Sequence, residues 1–343
     1  MAYGHLVKKM TEKLVKQEFT KVQDFDPDHI FDCGQCFRWF KEADGSYSGI
    51  VEGCFANVSF KRGSDLDGGK VIIWSNLFSE NPAQREKFWS HYLDLERDYG
   101  NIKRLLTTED SVMGKAVQVG HGIRILNQNK WETLISFIIS QNNNIPRIKG
   151  CIEALCAAYG RPIGTREGAT LHAFPSIDRL SVLREEDMEA LKLGYRARYI
   201  AETARKIAYD GGSFLGTSDL IETEKVKEYL LLLPGVGEKV ANCILLFSMG
   251  KSEVFPIDVW MRRIMSRFYG MGEHNTASMN DYAQRNFGEF SGIAQQYLFY
   301  YIRRMKEDDP KSYMRLQLEE DMSVNADDND KDKDEKGSAE LPT

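Results

Sequence analysis

The hydrophobic period of this chain changes once, near residue 84, and no other feature constrains its fold as tightly. Upstream, QCFRWF (35–40), YSGIV (47–51), FANVSF (55–60) and KVIIW (70–74) alternate or run apolar, and the turn-rich stretches ADGS, KRGSD and DGGK separate them. A period of two with short polar turns predicts an antiparallel sheet. Downstream, apolar residues recur at helical spacing. Trp131, Leu134, Ile135, Ile138 and Ile139 make one stripe, and Ile148, Cys151, Ile152, Leu155, Cys156 and Tyr159 a second. Ala294, Tyr297, Leu298, Tyr301, Ile302 and Met305 make a third. Such stripes are the core faces of helices. The chain therefore reads as α+β: an N-terminal antiparallel β-sheet domain with flanking helices over 1–120, an all-helical domain over 121–312, and a loose tail over 313–343.

Charge sets the tail apart. Residues 316–343 hold ten acids and three lysines, a net −7 against −6 for the whole chain, which leaves residues 1–315 at +1. A polar stretch of that kind, without aromatics, is expected to be disordered. A near-neutral body with a local basic face is compatible with DNA binding. No apolar run approaches the roughly 20 residues of a membrane span. The start, MAYGHLVKKMTEKLVKQ, is amphipathic over residues 5–18 and has no apolar signal core, so neither a membrane partner nor export is expected. Six cysteines in a protein inside the cell are expected to be reduced. Cys33 and Cys36 form a lone C-x-x-C, and two ligands cannot close a tetrahedral metal site.

Within the helical part, LLLPGVGEKVANCILLF (231–247) puts a lysine where a cation is unwelcome. Pro234, Gly235 and Gly237 force a tight turn, so Lys239 falls on the first turn of the next helix. The unpaired N–H groups there carry partial positive charge. An amine attacks only when neutral, so a position poor for stability suits a nucleophile. The N–H groups of Gly235, Val236 and Gly237 also make a site for a phosphate, which carries no sequence information. Nineteen residues after the lysine, Asp258 follows Pro256 and precedes an apolar-periodic segment, as a helix N-cap would. Its other oxygen could stabilise a developing cation.

LPGVGEKVANC followed by VFPIDV resembles the helix–hairpin–helix DNA glycosylases with a Gly/Pro…Asp loop, the HhH-GPD superfamily. Within it the chain is similar to the 8-oxoguanine DNA glycosylase/AP lyase family. CGQCFRW, SQNNNIPRI, LGYRARYI and GIAQQYLF add four further segments in order, and the likeness runs from about residue 25 to about 306. It implies a TBP-like N-terminal sheet, a helical HhH-GPD domain, and a bifunctional N-glycosylase and lyase. The implied partner is double-stranded DNA containing 8-oxoguanine, bound by a monomer, in the cytoplasm of a bacterium or the nucleus of a eukaryote. No redox cofactor or catalytic metal is implied, and the hairpin carbonyls are suited to a structural monovalent cation. Relatives with an iron–sulfur cluster need four cysteines after the aspartate, and this chain has none after Cys243. Monofunctional alkyl-base glycosylases lack the lysine at the position of Lys239.

By the same resemblance, Lys239 attacks C1′ of an extruded nucleotide, the base leaves, and a Schiff base permits strand cleavage, with Asp258 stabilising the cationic sugar. The Gly34 carbonyl would accept N7–H of 8-oxoguanine and repel the N7 lone pair of guanine. Gln295 would pair with the polar edge of the base, Phe299 and Cys243 would hold its two faces, and Phe247 and Pro256 would line the pocket. Tyr195 matches the wedge, and Asn142, Arg147 and Arg196 match residues that enter the gap and hydrogen-bond to the orphaned cytosine. Without the resemblance, plainer readings stand: Asp258 as a cap, Gly34 as a bulge or turn, Cys243 as a small buried hydrophobe, Asn142–Asn144 as a helix-ending turn, the arginines as solvated surface.

Two positions depart from the family pattern. Trp260 stands where a histidine is usual and Ile302 where its acidic partner is usual, so an apolar contact is expected in place of a polar pair. Rival functions are a glycosylase for another oxidised purine and a non-catalytic DNA-binding hairpin module, in which Lys239 is one more phosphate-binding cation.

Overall fold

The computed structural model describes residues 14–63 and 68–308. The acidic tail and most of the amphipathic start lie outside the described residues. Strands β1 (Val15–Val22), β2 (Trp39–Lys41), β3 (Tyr47–Val51), β4 (Cys54–Lys61) and β5 (Gly69–Ser75) form one antiparallel sheet in the order β1-β5-β4-β3-β2. A short helix, α1 (Pro27–Phe31), leads into β2. β3 and β4 pair from Tyr47↔Val58 to Val51↔Cys54 and join through the two-residue turn Glu52-Gly53, whose φ angles of 50° and 68° suit the twist of a hairpin. Helix α2 (Pro82–Tyr92) covers the sheet. Its Trp89 and Tyr92 join Phe31, Trp39, Tyr47, Val58 and Ile73 in a compact aromatic core. The antiparallel sheet expected from the period of two is present.

The second core is helical. It is built from α3 (Tyr99–Thr107), α4 (Ser111–Val119), α5 (Lys130–Ser140), α6 (Ile145–Tyr159), α7 (Ile177–Ser181), α8 (Arg196–Tyr209), α9 (Ser213–Thr217), α10 (Thr223–Leu231), α11 (Glu238–Ser248), α12 (Val259–Tyr269), α13 (Thr276–Phe287) and α14 (Ser291–Asp308). Side-chain caps start many of them: Asp110, Asn129 and Asn144 each accept a first-turn N–H. α5 and α11 are apolar nearly all round and pack together at the centre. One departure from an all-helical reading is a hairpin of β6 (Pro162–Arg166) and β7 (Ala169–His172). Its residues are too polar to alternate visibly, and contacts from the sheet domain hold it. Arg38 Nη2 donates to His172 O at 2.7 Å, and Arg166 pairs with Glu42 at 2.6 Å.

Residues 31–39 stitch the two cores together. Cys33 and Phe37 belong to the helical core, whereas Phe31, Cys36 and Trp39 belong to the sheet core. The C-x-x-C thiols thus point into different cores. Burial pushes Cys33 up to about 11 and raises Cys36 well above the ordinary thiol, and both donate to backbone carbonyls, of Ile30 and Phe31. That is the behaviour of inert structural cysteines.

Candidate active site

α10, the turn and α11 make the expected helix–hairpin–helix. Gly237 occupies the N-cap of α11 and offers no side-chain cap, so the first N–H groups of the helix are open to an anion. Gly235 has φ +77°, and a Cβ there would lie 2.7 Å from the Tyr199 ring, so glycine alone fits. Val236 is buried and its N–H donates to Leu233 O at 3.0 Å, so of the three N–H groups expected to face a phosphate this one closes the turn instead, while Gly237 is exposed. Three side chains brace the turn carbonyls. Lys206 Nζ donates to Leu232 O at 2.8 Å, Thr203 Oγ1 to Pro234 O at 2.9 Å, and Gln141 Nε2 to Gly235 O at 2.7 Å.

Lys239 is the second residue of α11 and is half-buried. Its Nζ lies 5.1 Å from the centroid of the Phe137 ring, which in turn stacks on Phe247 at 5.5 Å. The helix start repels the ammonium and the ring face attracts it. One turn on, Cys243 is buried. Burial pushes its thiol up, the charge of Lys239 opposes this, and the charge of Asp258 adds to it, so the three side chains form one cluster. Asp258 is the N-cap of α12: its Oδ1 accepts from Met261 N at 2.8 Å, and no described residue donates to Oδ2. The cap inferred from Pro256 and the following apolar period is present, with one carboxylate oxygen left over.

A second group of residues comes from α14 and the 31–39 strap, whose Phe37 meets Phe137, the ring beneath Lys239, at 5.5 Å. Gln295 is 5% exposed, and its Oε1 has no hydrogen-bond partner. A buried acceptor left in that state costs about 1–3 kcal/mol unless something completes it. Phe299, one turn further along α14, reaches the strap: a Cβ at Gly34, whose φ is +84°, would lie 3.3 Å from Phe299 Cε1. Gly34, Gln295 and Phe299 are thus brought to one place, although hundreds of residues separate the first from the others. Pro256 is buried on the approach to Asp258.

The residues assigned to the gap lie around the end of α5. Asn142 is exposed at φ 45°, and Tyr195 is 48% exposed. Arg147 is exposed and reaches only Lys192 O, at 3.5 Å. Arg196 differs from a solvated or outward-reaching arginine. It is 4% exposed and stacks on Tyr195 at 4.6 Å. Its guanidinium donates to Gln141 O, Asn142 O and Leu193 O. It braces the loop that carries Asn142, because a turn in a left-handed conformation leaves carbonyls that need donors. Trp260 packs on the helical core that includes Ile302, with Lys306 Nζ 5.0 Å and Arg263 Cζ 5.7 Å from its ring. An indole flanked by two cations occupies the place of the usual polar pair.

Some contributors escaped the sequence reading: Phe137 beneath the lysine, and Gln35, Gln128 and Gln296, which hold the strap. A polar glutamine inside the apolar run QCFRWF was the available signal for Gln35. Potential metal ligands among the described residues gather away from the lysine, where Asp26, His29 and His121 have ligand atoms within 4.8 Å of one another. His29 Nδ1 accepts the Gly122 N–H at 3.1 Å, so the neutral ring carries its proton on Nε2 and has no free lone pair for an ion.

A helix–hairpin–helix with an open helix start, and a lysine, a thiol and a carboxylate clustered at it, defines a class: the helix–hairpin–helix DNA glycosylases. Comparison with known proteins narrows it. Residues 19–134 match the family model described as 8-oxoguanine DNA glycosylase, N-terminal domain, and residues 135–287 the HhH-GPD superfamily base excision DNA repair protein. The chain is 31% identical to N-glycosylase/DNA lyase OGG1 of Arabidopsis thaliana, over 78% of this chain and 75% of that one. It is also 31% identical to a probable N-glycosylase/DNA lyase of Methanothermobacter thermautotrophicus, over 82% and 95%. The solved Clostridium acetobutylicum 8-oxoguanine glycosylase/lyase, in complex with dsDNA containing cytosine opposite 8-oxoG, is 38% identical with a TM-score of 0.75, over 85% of this chain and 98% of that one. The chain belongs to the 8-oxoguanine DNA glycosylase family of the HhH-GPD superfamily. It is a bifunctional DNA N-glycosylase and lyase, and the non-catalytic alternative falls away.

Proposed function

We propose that this enzyme extrudes 8-oxoguanine from duplex DNA, preferring cytosine opposite, and excises it through Lys239. The observation that carries the reading is the cluster of Lys239, Cys243 and Asp258 at an uncapped helix start. A base inside the stack is out of reach, so the nucleotide leaves it first. The Lys239 nitrogen lone pair forms a bond to C1′ as the bond to N9 breaks, and the cationic nitrogen that results gives up a proton, which the departing base takes. The free oxygen of Asp258 faces the positive charge that grows on the sugar. Opening of the sugar gives a Schiff base, loss of a C2′ proton breaks the C3′–O bond, and water releases the lysine.

The pocket residues take the remaining tasks. The Gly34 carbonyl receives N7–H of the damaged base, Gln295 completes its unpartnered Oε1 on the polar edge, and Phe299 and Cys243 flank the ring, with Phe247 and Pro256 behind. Tyr195 wedges the duplex. Arg147 and Asn142 reach the cytosine, and Arg196, with most of its five N–H groups engaged, steadies them and keeps one donor for the base. The N–H groups of Gly235 and Gly237 hold a backbone phosphate, while that of Val236 closes the turn on Leu233 O. The turn carbonyls of Leu232, Pro234 and Gly235 each keep a second lone pair for a structural monovalent cation, and no chemical step passes through it. A monomer suffices, since every assigned residue comes from one chain, and the place of action is the nucleoid or nucleus. No helix among the described residues is long and apolar enough to cross a membrane.

Borohydride added during turnover on an 8-oxoguanine·cytosine duplex tests the reading. A covalent protein–DNA adduct should form and map to Lys239. Greater activity on another oxidised purine, or equal activity with all four opposite bases, would overturn the substrate assignment.

A further inference from the structure

We propose that Gln296 is a specificity-positioning residue, whose side-chain amide fixes the strap so that the Gly34 carbonyl points at N7 of the base. The proposal rests on the reading of Gly34 given above. Gln296 Nε2 donates to Cys33 O at 2.7 Å, on one side of Gly34. Gln128 Nε2 donates to Gln35 O at 2.8 Å, on the other side. Gln35 itself is fully buried and cross-links the strap to both domains: its Nε2 donates to Ile30 O at 2.9 Å and Arg124 O at 2.8 Å, and its Oε1 accepts from Leu126 N at 2.9 Å. The two carbonyls that flank Gly34 are therefore held, while no described residue donates to the carbonyl of Gly34.

A glycine at φ +84° in the seam between two cores has no side chain to anchor it. Its peptide plane takes its direction from its neighbours. That direction matters, because a hydrogen bond weakens steeply with misalignment, and the contrast between an N7 proton and an N7 lone pair survives only along the bond axis. Adjacent positions on α14 divide the work. Gln295 keeps a buried, unpartnered acceptor, and Gln296, about 100° further round the helix, faces the strap and is 2% exposed.

The experiment compares Gln296→Met, which keeps the length and removes the donor, with the wild type on two substrates: an 8-oxoguanine·cytosine duplex and the same duplex with an abasic site. The abasic site needs Lys239 and no base recognition. Single-turnover excision of 8-oxoguanine should fall about tenfold, the loss of one buried hydrogen bond, while abasic-site cleavage stays within about twofold. Gln296→Glu, which turns an acceptor toward the Cys33 carbonyl, should lose more on the first substrate and no more on the second. Parallel losses on both substrates, or no loss on either, would overturn the positioning role. If Gln296→Met fails to fold, Gln128→Met removes the restraint from the other side and is judged by the same criteria. A wild type without 8-oxoguanine excision overturns the underlying reading and this proposal with it, whereas an active wild type matched by Gln296→Met overturns this proposal alone.

Discussion

The two sides of the site are built in opposite ways. On the chemical side, Lys239, Cys243 and Asp258 lie within twenty residues of one another, and each is placed by the start or first turns of a helix. On the recognition side, Gly34 comes from the strap under the sheet domain and Gln295 and Phe299 from the last described helix. Contact between them depends on long-range hydrogen bonds such as Gln296 to Cys33, 263 residues apart. Helix geometry supplies the first side locally, whereas the second needs two domains docked in register. The chemical side should therefore fail by loss of one atom with the fold intact, and the recognition side by small displacements that leave the chemistry intact.

The largest effect tests the first half of that contrast. Lys239→Met should lower both base excision and abasic-site cleavage by about 10³-fold or more and abolish the borohydride adduct. Thermal unfolding should move by no more than about 2 °C, as expected of a half-buried helix-start side chain. Surviving cleavage of abasic DNA would mean that a second amine serves the site. Asp258 comes next, because its two oxygens can be separated. Asp258→Asn keeps the acceptor for Met261 N and removes the charge, so stability should hold while excision falls by about 10²-fold. Asp258→Ala should lose similar activity and about 1 kcal/mol of stability in urea. Equal activity of Asp258→Asn and wild type would reduce the aspartate to a cap.

The same contrast explains what the sequence made legible. Period and turn chemistry are local signals, and they located the sheet, the hairpin, the lysine on the first turn of α11 and the capping aspartate. Arg196 shows where local signals stop. Its neighbours in GYRAR mark it as exposed, yet the left-handed turn at Asn142, fifty-four residues earlier, draws it into the interior. The polar β6–β7 hairpin is held by Arg38 and Glu42 from the other domain, and nothing in its own residues alternates. Phe137 falls outside the apolar stripe read along α5, and only the packing of α5 against α11 makes it the surface on which Lys239 rests.

Gly34→Ala probes the recognition side. The methyl group would press on Phe299 at 3.3 Å, and φ +84° is strained for any residue with a Cβ. Together these should cost about 1–2 kcal/mol, which appears as a loss of about tenfold or more in 8-oxoguanine excision. Cleavage of an abasic duplex should be nearly unchanged. A parallel fall in both assays would mean that the strap also positions Lys239, and the division between the two sides would disappear.

The smallest effect concerns the charges beneath the strap. Glu132 on α5 faces the buried Arg38 and also Glu52 and Glu153. Burial pushes its carboxyl up from 4.5 to about 7, Arg38 pulls it down, and the two other acids push it up again. The folded protein therefore holds a proton between these values that the unfolded chain has lost. The stability contributed by this group is complete below about pH 4.5 and fades as pH rises through 7. Glu132→Gln cannot ionise, so it should match the wild type in urea unfolding at pH 4.5 and exceed it by ~1–2 kcal/mol at pH 8. Lysine chemistry should be indifferent to the change, since neither Lys239 nor Asp258 touches this cluster. A variant less stable than wild type at pH 8 would mean that the carboxylate is ionised against Arg38, and that the recognition side is held by a buried ion pair as well as by its glutamines.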